Sequence, residues 1–482
     1  MKDILKNTAY ISGTEISLVA VAFIRNKFLA LKIGPEGFGI FGLLNTFFSV
    51  VSIFTGVWLA QGITKYISEF KQKNDELSVR QIITFSLFIS AILSIFIILI
   101  LLAANKIFIQ HFLSKEVVFS YYFFFSASLL GTSLRPLFVA IFQGLKNVRN
   151  VVIFRVLVSI TDVVFVFLLV IIYGLTGFFA SIFVNSIFIL GLIFYLTKKE
   201  IQSFVLPSFR SSIVKKLLLF GISGIFLLIL NYGSQYYLRL IIVNRIDLEA
   251  VGLFTAAMAI VNYMGIVNRG ILYSYFPEIS EDISKEIRIK KINGYFRLVL
   301  LINIPITVIT ILLGDQLLII LFSNKFLPLS KIIFWFALTH ILSSIATLFH
   351  YNFLGMAKIK SFSLLGVIGI LALLIIPVLF IEKTGLVSVA YGYIASYGVT
   401  IPIFYWIMNK EIGFKFSSNV WFLLIYASVT VLISKFIEDK LLLIRLLVSC
   451  LSLAAMLLFL TKEELIMVKS FIHNKINLYR RK

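Results

Sequence analysis

Cysteine is almost missing from this chain, with Cys450 the single one among 482 residues. It lies inside an apolar run, so disulfides and cysteine-based metal sites are excluded. Acidic residues are scarce as well, 22 Asp and Glu against 44 Lys and Arg. Charged residues make up only 14% of the chain, where soluble domains carry roughly 25%. No G-x-x-x-x-G-K-S/T phosphate loop occurs, which excludes an ATPase of that type. H-E-x-x-H and G-x-S-x-G are missing too, and no loop is large enough to hold a soluble catalytic domain. A membrane glycosyltransferase or ligase needs a sizeable outside loop or clustered acids near an interface, and neither is evident. The chain therefore reads as a transporter rather than an enzyme, with no cofactor and no metal.

What is present is apolar. The chain is 60% hydrophobic with a mean hydropathy of +1.03, and runs of about 20 apolar residues, the length that crosses a bilayer, recur throughout. Fourteen spans are expected, near 8–31, 38–64, 81–104, 117–140, 151–172, 178–197, 214–242, 251–275, 296–313, 331–354, 361–381, 386–408, 419–436 and 441–461. Lys2, Lys6 and Ala20-Val21-Ala22 imitate a cleaved signal, but Asn7, Ser12, Thr14 and Glu15 make the segment too polar for one, and it reads as a retained first helix. With both termini in the cytoplasm, the inside loops and tails, with the span ends that adjoin them, hold 29 Lys and Arg and the outside loops and their adjoining span ends 11, the bias that orients membrane proteins. Loop charge also accounts for the basic excess, so nucleic acid is not an expected partner. The segment Phe276 to Arg297 is expected as a short surface helix, and the tail after Thr461 as an interfacial anchor.

The chain repeats itself. Glu36-Gly37-Phe38-Gly39-Ile40-Phe41 returns as Glu249-Ala250-Val251-Gly252-Leu253-Phe254, an E-x-x-G-I/L-F pattern 213 residues on. Ile67-Ser68-Glu69 returns as Ile279-Ser280-Glu281 at 212, Phe142-Gln143-Gly144 as Phe353-Leu354-Gly355 at 211, and Thr176-Gly177 as Thr384-Gly385 at 208. Echoes in one order at one spacing mark a duplicated unit. The expected organisation is all-α and polytopic: a six-helix bundle over 1–212, a second over 213–416, and a further pair with a basic tail over 417–482. Six spans is an even number, so the two bundles run parallel around a central cavity, where transporters of this build bind substrate.

Several basic residues fall inside spans. A charge at mid-bilayer costs about 2.5–3.5 kcal/mol even on the lenient insertion scale, so such residues need water or a partner. Arg25, Lys27, Arg135, Arg239 and Arg269 are the cases, and Lys27, Arg239 and Arg25 lie near enough to span ends to snorkel. Polar stripes accompany them: Asn231, Gln235 and Arg239 on span 7; Thr255, Asn262 and Arg269 on span 8; Ser128, Thr132 and Arg135 on span 4; Asn45, Ser49, Ser52 and Gly56 on span 2; Thr14 and Arg25 on span 1. Each set shares one helix face. Small-residue stripes also serve close helix packing, the favoured alternative for Asn45 to Gly56; the stripes ending in Arg point to a cavity. Asp162, with Arg155 and Ser159 on the same face of span 5, is either half of an ion pair or an ion-coupling carboxylate, and Glu15 is the other acidic candidate. His340 and His350 read as packing and interfacial residues, with a proton relay as the alternative. A basic cavity near Tyr232, Tyr236, Tyr237, Tyr263 and Trp58 suits an anion with sugar-like bulk, since guanidinium forks match phosphate oxygens and rings stack on pyranoses.

The run Ile33-Gly34-Pro35-Glu36-Gly37-Phe38-Gly39, the helix end Gly62-Ile63-Thr64-Lys65-Tyr66-Ile67, and the F-x-G turn at Gly144 with its echo at Gly355 resemble the O-antigen flippases of the multidrug/oligosaccharidyl-lipid/polysaccharide exporter superfamily, across residues 10–415. The resemblance implies that undecaprenyl-pyrophosphate-linked oligosaccharide is moved from the cytoplasmic to the periplasmic leaflet of a bacterial inner membrane by alternating access. It implies a polysaccharide polymerase and a chain-length regulator as partners, surrounding membrane lipids, and no cofactor. The extra helix pair is similar to that of the lipid II flippases, where it forms a groove for the lipid tail. Arg25, Arg135, Arg239 and Arg269, with Lys27, are then expected to hold the pyrophosphate, and Asn231, Gln235, Asn262 and Tyr236 to meet the glycan. A duplicated chain already contains its own two-fold partner, so a monomer is expected. The rivals are a cation-coupled multidrug exporter, which needs Glu15 and Asp162, and a membrane polymerase or ligase acting on lipid-linked sugars.

Overall fold

The computed structural model describes residues 2–197, 212–280, 284–356, 358–437 and 440–457, with side chains from Ser17 onward except at 212–213, 220, 222–224, 273–274, 277, 280, 359 and 455–457. The described residues form sixteen α-helices and two short 3-10 turns. The first half contains α1 (Lys2–Ile53), α2 (Ala60–Gln72), α3 (Glu76–Ala103), α4 (Asn105–Phe112), α5 (Phe119–Gly144) and α6 (Val148–Thr197). The second contains α7 (Ser212–Arg245), α8 (Leu248–Met264), α9 (Ile266–Ser280), α10 (Lys285–Leu312), α11 (Gly314–Leu321), α12 (Ser330–Gly355), α13 (Ile359–Thr384) and α14 (Val387–Ile412). A final pair follows, α15 (Ser418–Ile437) and α16 (Leu442–Leu457). An all-helical chain is what hydrocarbon demands, because a helix satisfies every backbone polar group within its own segment.

The side chains are arranged for lipid. On α3, Ser86, Ser90 and Ser94 recur every fourth residue and are fully buried, while Phe88, Ile92, Ile95, Phe96 and Leu99 face outward. Small polar residues thus make the helix contacts and large apolar ones cover the outer surface, the order expected where tails rather than water surround a bundle.

Ten of the described helices are long and apolar enough to cross a membrane, or eleven if the α8–α9 pair, bent by 45°, is taken as one span. Two of the ten hold two limbs each. α6 has 50 residues, about 75 Å of helix at 1.5 Å per residue, against a hydrocarbon core of roughly 30 Å. It folds back at Gly174, whose φ of 55° and ψ of −130° are non-helical. The limbs press together so tightly that a Cβ on Gly177 would collide with the carbonyl of Leu169. α1 breaks likewise at Gly34-Pro35, with proline just inside the new helix, where its missing N–H is not needed. α16 is 16 residues as described, about 24 Å, and the basic tail beyond it lies outside the described residues.

Local geometry repeats at the spacing of the sequence echoes. Asn147 N–H donates to Phe142 O at 2.9 Å and Lys358 N–H to Phe353 O at 2.8 Å, closing the same turn after each F-x-G. The turn in α6 shows which glycines correspond: Gly174 matches Gly385, with φ of 59° and ψ of −142°, so the Thr-Gly echo was three residues out of register. Only a residue without Cβ takes that conformation cheaply. The segment from Phe276 to Arg297 is also not a separate surface helix. It is the end of α9 and the start of α10, the latter capped by Ser284, whose hydroxyl accepts from Ile287 N–H.

The halves share one apolar core at one end, where Leu29, Leu43, Phe47, Leu238, Ile242, Val251 and Phe254 pack together. A separate core, including Ile63, Ile83, Phe138 and Phe154, is built mainly by the first half, with Val214 and Leu217 of α7 packed into it. α15 and α16 dock on α10: Asn293 holds Lys415 O and Ser417 N–H, and Arg445 reaches Leu312 O at 3.3 Å and Asp315 at 3.6 Å.

Candidate functional site

A cavity of about 850 Å³ is lined by residues of both halves. Its wall is unequal. Both limbs of α1, α5 and both limbs of α6 supply most of it, and the second half contributes Tyr232, Asn262, Tyr263 and Arg269. Among the described residues, four guanidiniums line it, those of Arg25, Arg135, Arg155 and Arg269, against the single carboxylate of Asp162. Asn45, Ser49, Ser52, Thr132, Ser159 and Asn185 add neutral polar groups.

The charges are ordered. Arg25 Nη1 donates to Asp162 Oδ2 at 2.7 Å, joining the first limbs of α1 and α6. Arg135 stands within the fields of Asp162, Arg155 and Arg25. Arg269 Nη2 donates to Asn262 O at 3.2 Å, seven residues back and across the bend between α8 and α9. Asn26 Nδ2 donates to Tyr263 Oη at 2.7 Å and links the halves beside this wall. In a cavity with few counter-charges, guanidiniums at close quarters repel one another, and an incoming anion relieves that repulsion.

The expected residues divide between cavity and helix interfaces. Arg25, Arg135, Arg269, Asn262 and Asp162 line the cavity. Arg25 differs from expectation because it is already ion-paired, with Asp162, inside one half. Arg155 was expected only as a partner for Asp162 and instead joins the wall; its seven-residue spacing from Asp162 carried that signal. Arg239, Gln235, Asn231, Tyr236 and Lys27 do not line the cavity. The stripe on α7 is turned away from it. Gln235 Nε2 donates to Tyr393 Oη at 2.8 Å on α14, and Asn231 is exposed. Arg239 is only 7% exposed, lies 4.9 Å over the Phe254 ring, and donates to Gln235 O at 3.1 Å. Its Nε has no hydrogen-bond partner among the described residues. Glu15 lies outside the described side chains. His350 packs edge-on to Phe362 and Phe404.

Beyond the cavity the halves interlock with approximate two-fold symmetry. A Cβ on Gly39 would strike the carbonyl oxygen of Leu248, and one on Gly252 that of Pro35. The two pairs are the same contact seen from each half, since Gly39 to Gly252 and Pro35 to Leu248 are both 213 residues. Only glycine lets backbones meet this closely. Around that contact, Lys27 of α1 donates to Ile319 O at the end of α11, and Tyr236 of α7 donates to Phe112 O at the end of α4. These again correspond: 209 residues separate Lys27 from Tyr236 and also the first residues of α4 and α11. Phe38 packs edge-on to Phe322 and Phe326 across the same interface. Two residues expected to meet substrate therefore clasp the halves together instead.

Comparison with known proteins gives three results. A protein-family model described as "Polysaccharide biosynthesis protein" matches residues 4–282. The lipid III flippase of Escherichia coli (strain K12) is 18% identical over 402 residues, covering 82% of this chain and 95% of that protein. Among solved structures, the lipid II flippase MurJ in an inward closed conformation superposes with a TM-score of 0.72 at 15% identity, covering 96% of this chain and 99% of that one. An inward-facing multidrug resistance MATE family transporter of the MOP superfamily gives 0.70 at 16% identity, covering 83% and 98%. The fold is thus that of this transporter superfamily.

Proposed function

Because the chain belongs to the polysaccharide biosynthesis protein family, we propose that it is a flippase for a lipid-linked oligosaccharide, a repeat unit of O-antigen or another surface polysaccharide carried on undecaprenyl pyrophosphate. The observation that carries this reading is the cavity between the halves, with four arginines and one aspartate. A pyrophosphate diester brings about two negative charges, which suits a wall whose described residues carry an excess of three positive ones. Arg135, Arg155 and Arg269 take the phosphate oxygens, and Arg25 joins them when the anion displaces Asp162. Asn262, Tyr232 and Tyr263 meet the first sugars. The prenyl tail stays in lipid. A cation-coupled multidrug exporter fits less well, since a positive wall repels cationic drugs.

Movement follows from the symmetric clasp. Residues 1–212 and 213–416 rock as two bodies, the Gly39–Gly252 end parting as the opposite end closes, in an inner membrane with both termini cytoplasmic. α15 and α16 ride on α10, which does not line the cavity. The protein acts as a monomer and delivers to a polysaccharide polymerase with its chain-length regulator. The test is replacement of Arg135 and Arg269 by Ala, singly and together, in cells whose surface polysaccharide depends on this gene. Loss of surface polymer with the protein still in the membrane supports the reading, and wild-type polymer in the double variant overturns it.

A further inference from the structure

The bend between α8 and α9 at Gly265 is braced from behind. His340 Nε2 meets Asn303 Oδ1 at 2.6 Å, Asn303 Nδ2 donates to Asn268 Oδ1 at 2.7 Å, Asn268 Nδ2 donates to Ser344 Oγ at 2.8 Å, and Ser344 Oγ donates to the His340 carbonyl at 2.8 Å. The four side chains close a ring across α9, α10 and α12. Their direction is fixed by Asn303, whose amide nitrogen serves both Asn268 and Val299 O, so its oxygen faces His340 and the imidazole donates. All four residues are at most 8% exposed. The imidazole sits in the notch of the bend, with His340 Cε1 3.8 Å from where a Cβ on Gly265 would be.

Asn268 immediately precedes Arg269. Successive helical residues point about 100° apart, so holding Asn268 in the core sets the direction of Arg269, which lines the cavity. The first half has a simpler arrangement at the matching place. Ser90 Oγ donates to Thr55 O at 2.6 Å beside Gly56, and Ser90, Thr55 and Gly56 stand 213 residues before Asn303, Asn268 and Arg269. Where the first half has a glycine, the second has a guanidinium, and behind it a ring in place of one hydrogen bond. Removing a single member of such a ring strands buried polar groups, so the ring holds or fails as a unit.

We infer that His340, Asn303, Asn268 and Ser344 are positioning residues that hold Arg269 toward the anion in the cavity. The inference rests on the reading of that cavity as an anion site. The test uses the full-length protein in detergent, with inorganic pyrophosphate as the probe and titration calorimetry as the readout, alongside thermal melts. Arg269→Ala weakens binding about tenfold, and Asn303→Leu and His340→Leu do so about fivefold. His340→Gln, whose amide still donates to Asn303, stays within about twofold of wild type. In the Arg269→Ala background, Asn303→Leu has no further effect on affinity, a non-additivity that a purely structural role does not produce. Ser344→Ala is the milder variant should Asn303→Leu not fold, and it weakens binding about threefold. Wild-type affinity in the folded ring variants, or additivity with Arg269→Ala, overturns the positioning role. An unchanged affinity in Arg269→Ala alone overturns the anion-site reading itself.

Discussion

Arg25 and Asp162 stand 2.7 Å apart in one half of the protein, on facing walls of the same cavity. Both are partly exposed, at 26% and 21% of their side-chain surface, so the pair can be taken apart by a ligand without burying either charge alone. Asp162 therefore competes with any anion for Arg25. Replacing Asp162 by Asn removes the competitor while keeping the shape. Pyrophosphate affinity, measured by calorimetry, is expected to rise about fivefold. A fall in affinity would mean that Asp162 shapes the site rather than contesting it.

The glycine contacts give a steric prediction. Gly39→Ala and Gly252→Ala each place a methyl group onto a carbonyl oxygen of the other half, and backbone cannot yield as a side chain can. Both variants are expected to insert normally and to lose at least about tenfold in transport rate, because the closed end cannot form. Transport at the wild-type rate in both would show that this end need not close so tightly.

Removing the Lys27 and Tyr236 clasps is expected to shift the same equilibrium in the same direction, toward an open end. Spin labels at Lys32 and Asp247, introduced in a Cys450→Ser background, report the separation of the halves at that end. The double variant Lys27→Ala, Tyr236→Phe removes both clasps, and a second, longer distance is expected to appear beside the short one. A single unchanged distance would show that the apolar contacts around Phe38 hold the end closed unaided.

Arg239 offers a contrast with Arg269. It is buried and has no carboxylate partner among the described residues, so exchange for an apolar side chain of similar length removes a desolvated charge. Arg239→Met is expected to keep at least about half the transport rate, where Arg269→Ala loses most of it. A collapse of transport in a folded Arg239→Met protein would place that residue on the substrate path.

Much of the fold was legible because hydrocarbon leaves the chain few choices. Apolar runs gave the helices, and the E-x-x-G echo marked a place where a glycine of each half meets a backbone carbonyl of the other. The turn at Gly174 was misplaced by three residues because a Thr-Gly pair happened to lie beside it. The cost of charge in a membrane pointed to Arg135, Arg269 and Asp162, and the seven-residue spacing from Arg269 pointed to Asn262; all four line the cavity. Periodicity went wrong on α7: it shows that Asn231, Gln235 and Arg239 share a face, but not that the face looks toward α14 and α1. Arg25 was seen as a cavity residue and its partner was not, since Asp162 is 137 positions away. Of the ring behind Arg269 the sequence showed only His340 as a polar residue within a span; its partners on α9 and α10 were not connected to it, because only packing brings the three helices together.

The central claim is that this cavity carries a pyrophosphate-linked glycolipid from one leaflet to the other. Its most direct test is purified protein in liposomes holding a fluorescent undecaprenyl-pyrophosphate oligosaccharide, with accessibility to an impermeant quencher or lectin followed over time. Protein-dependent exchange between leaflets, abolished in the Arg135→Ala, Arg269→Ala double variant, is the predicted result. Exchange no faster than in empty liposomes, or equally fast without the two arginines, would contradict it.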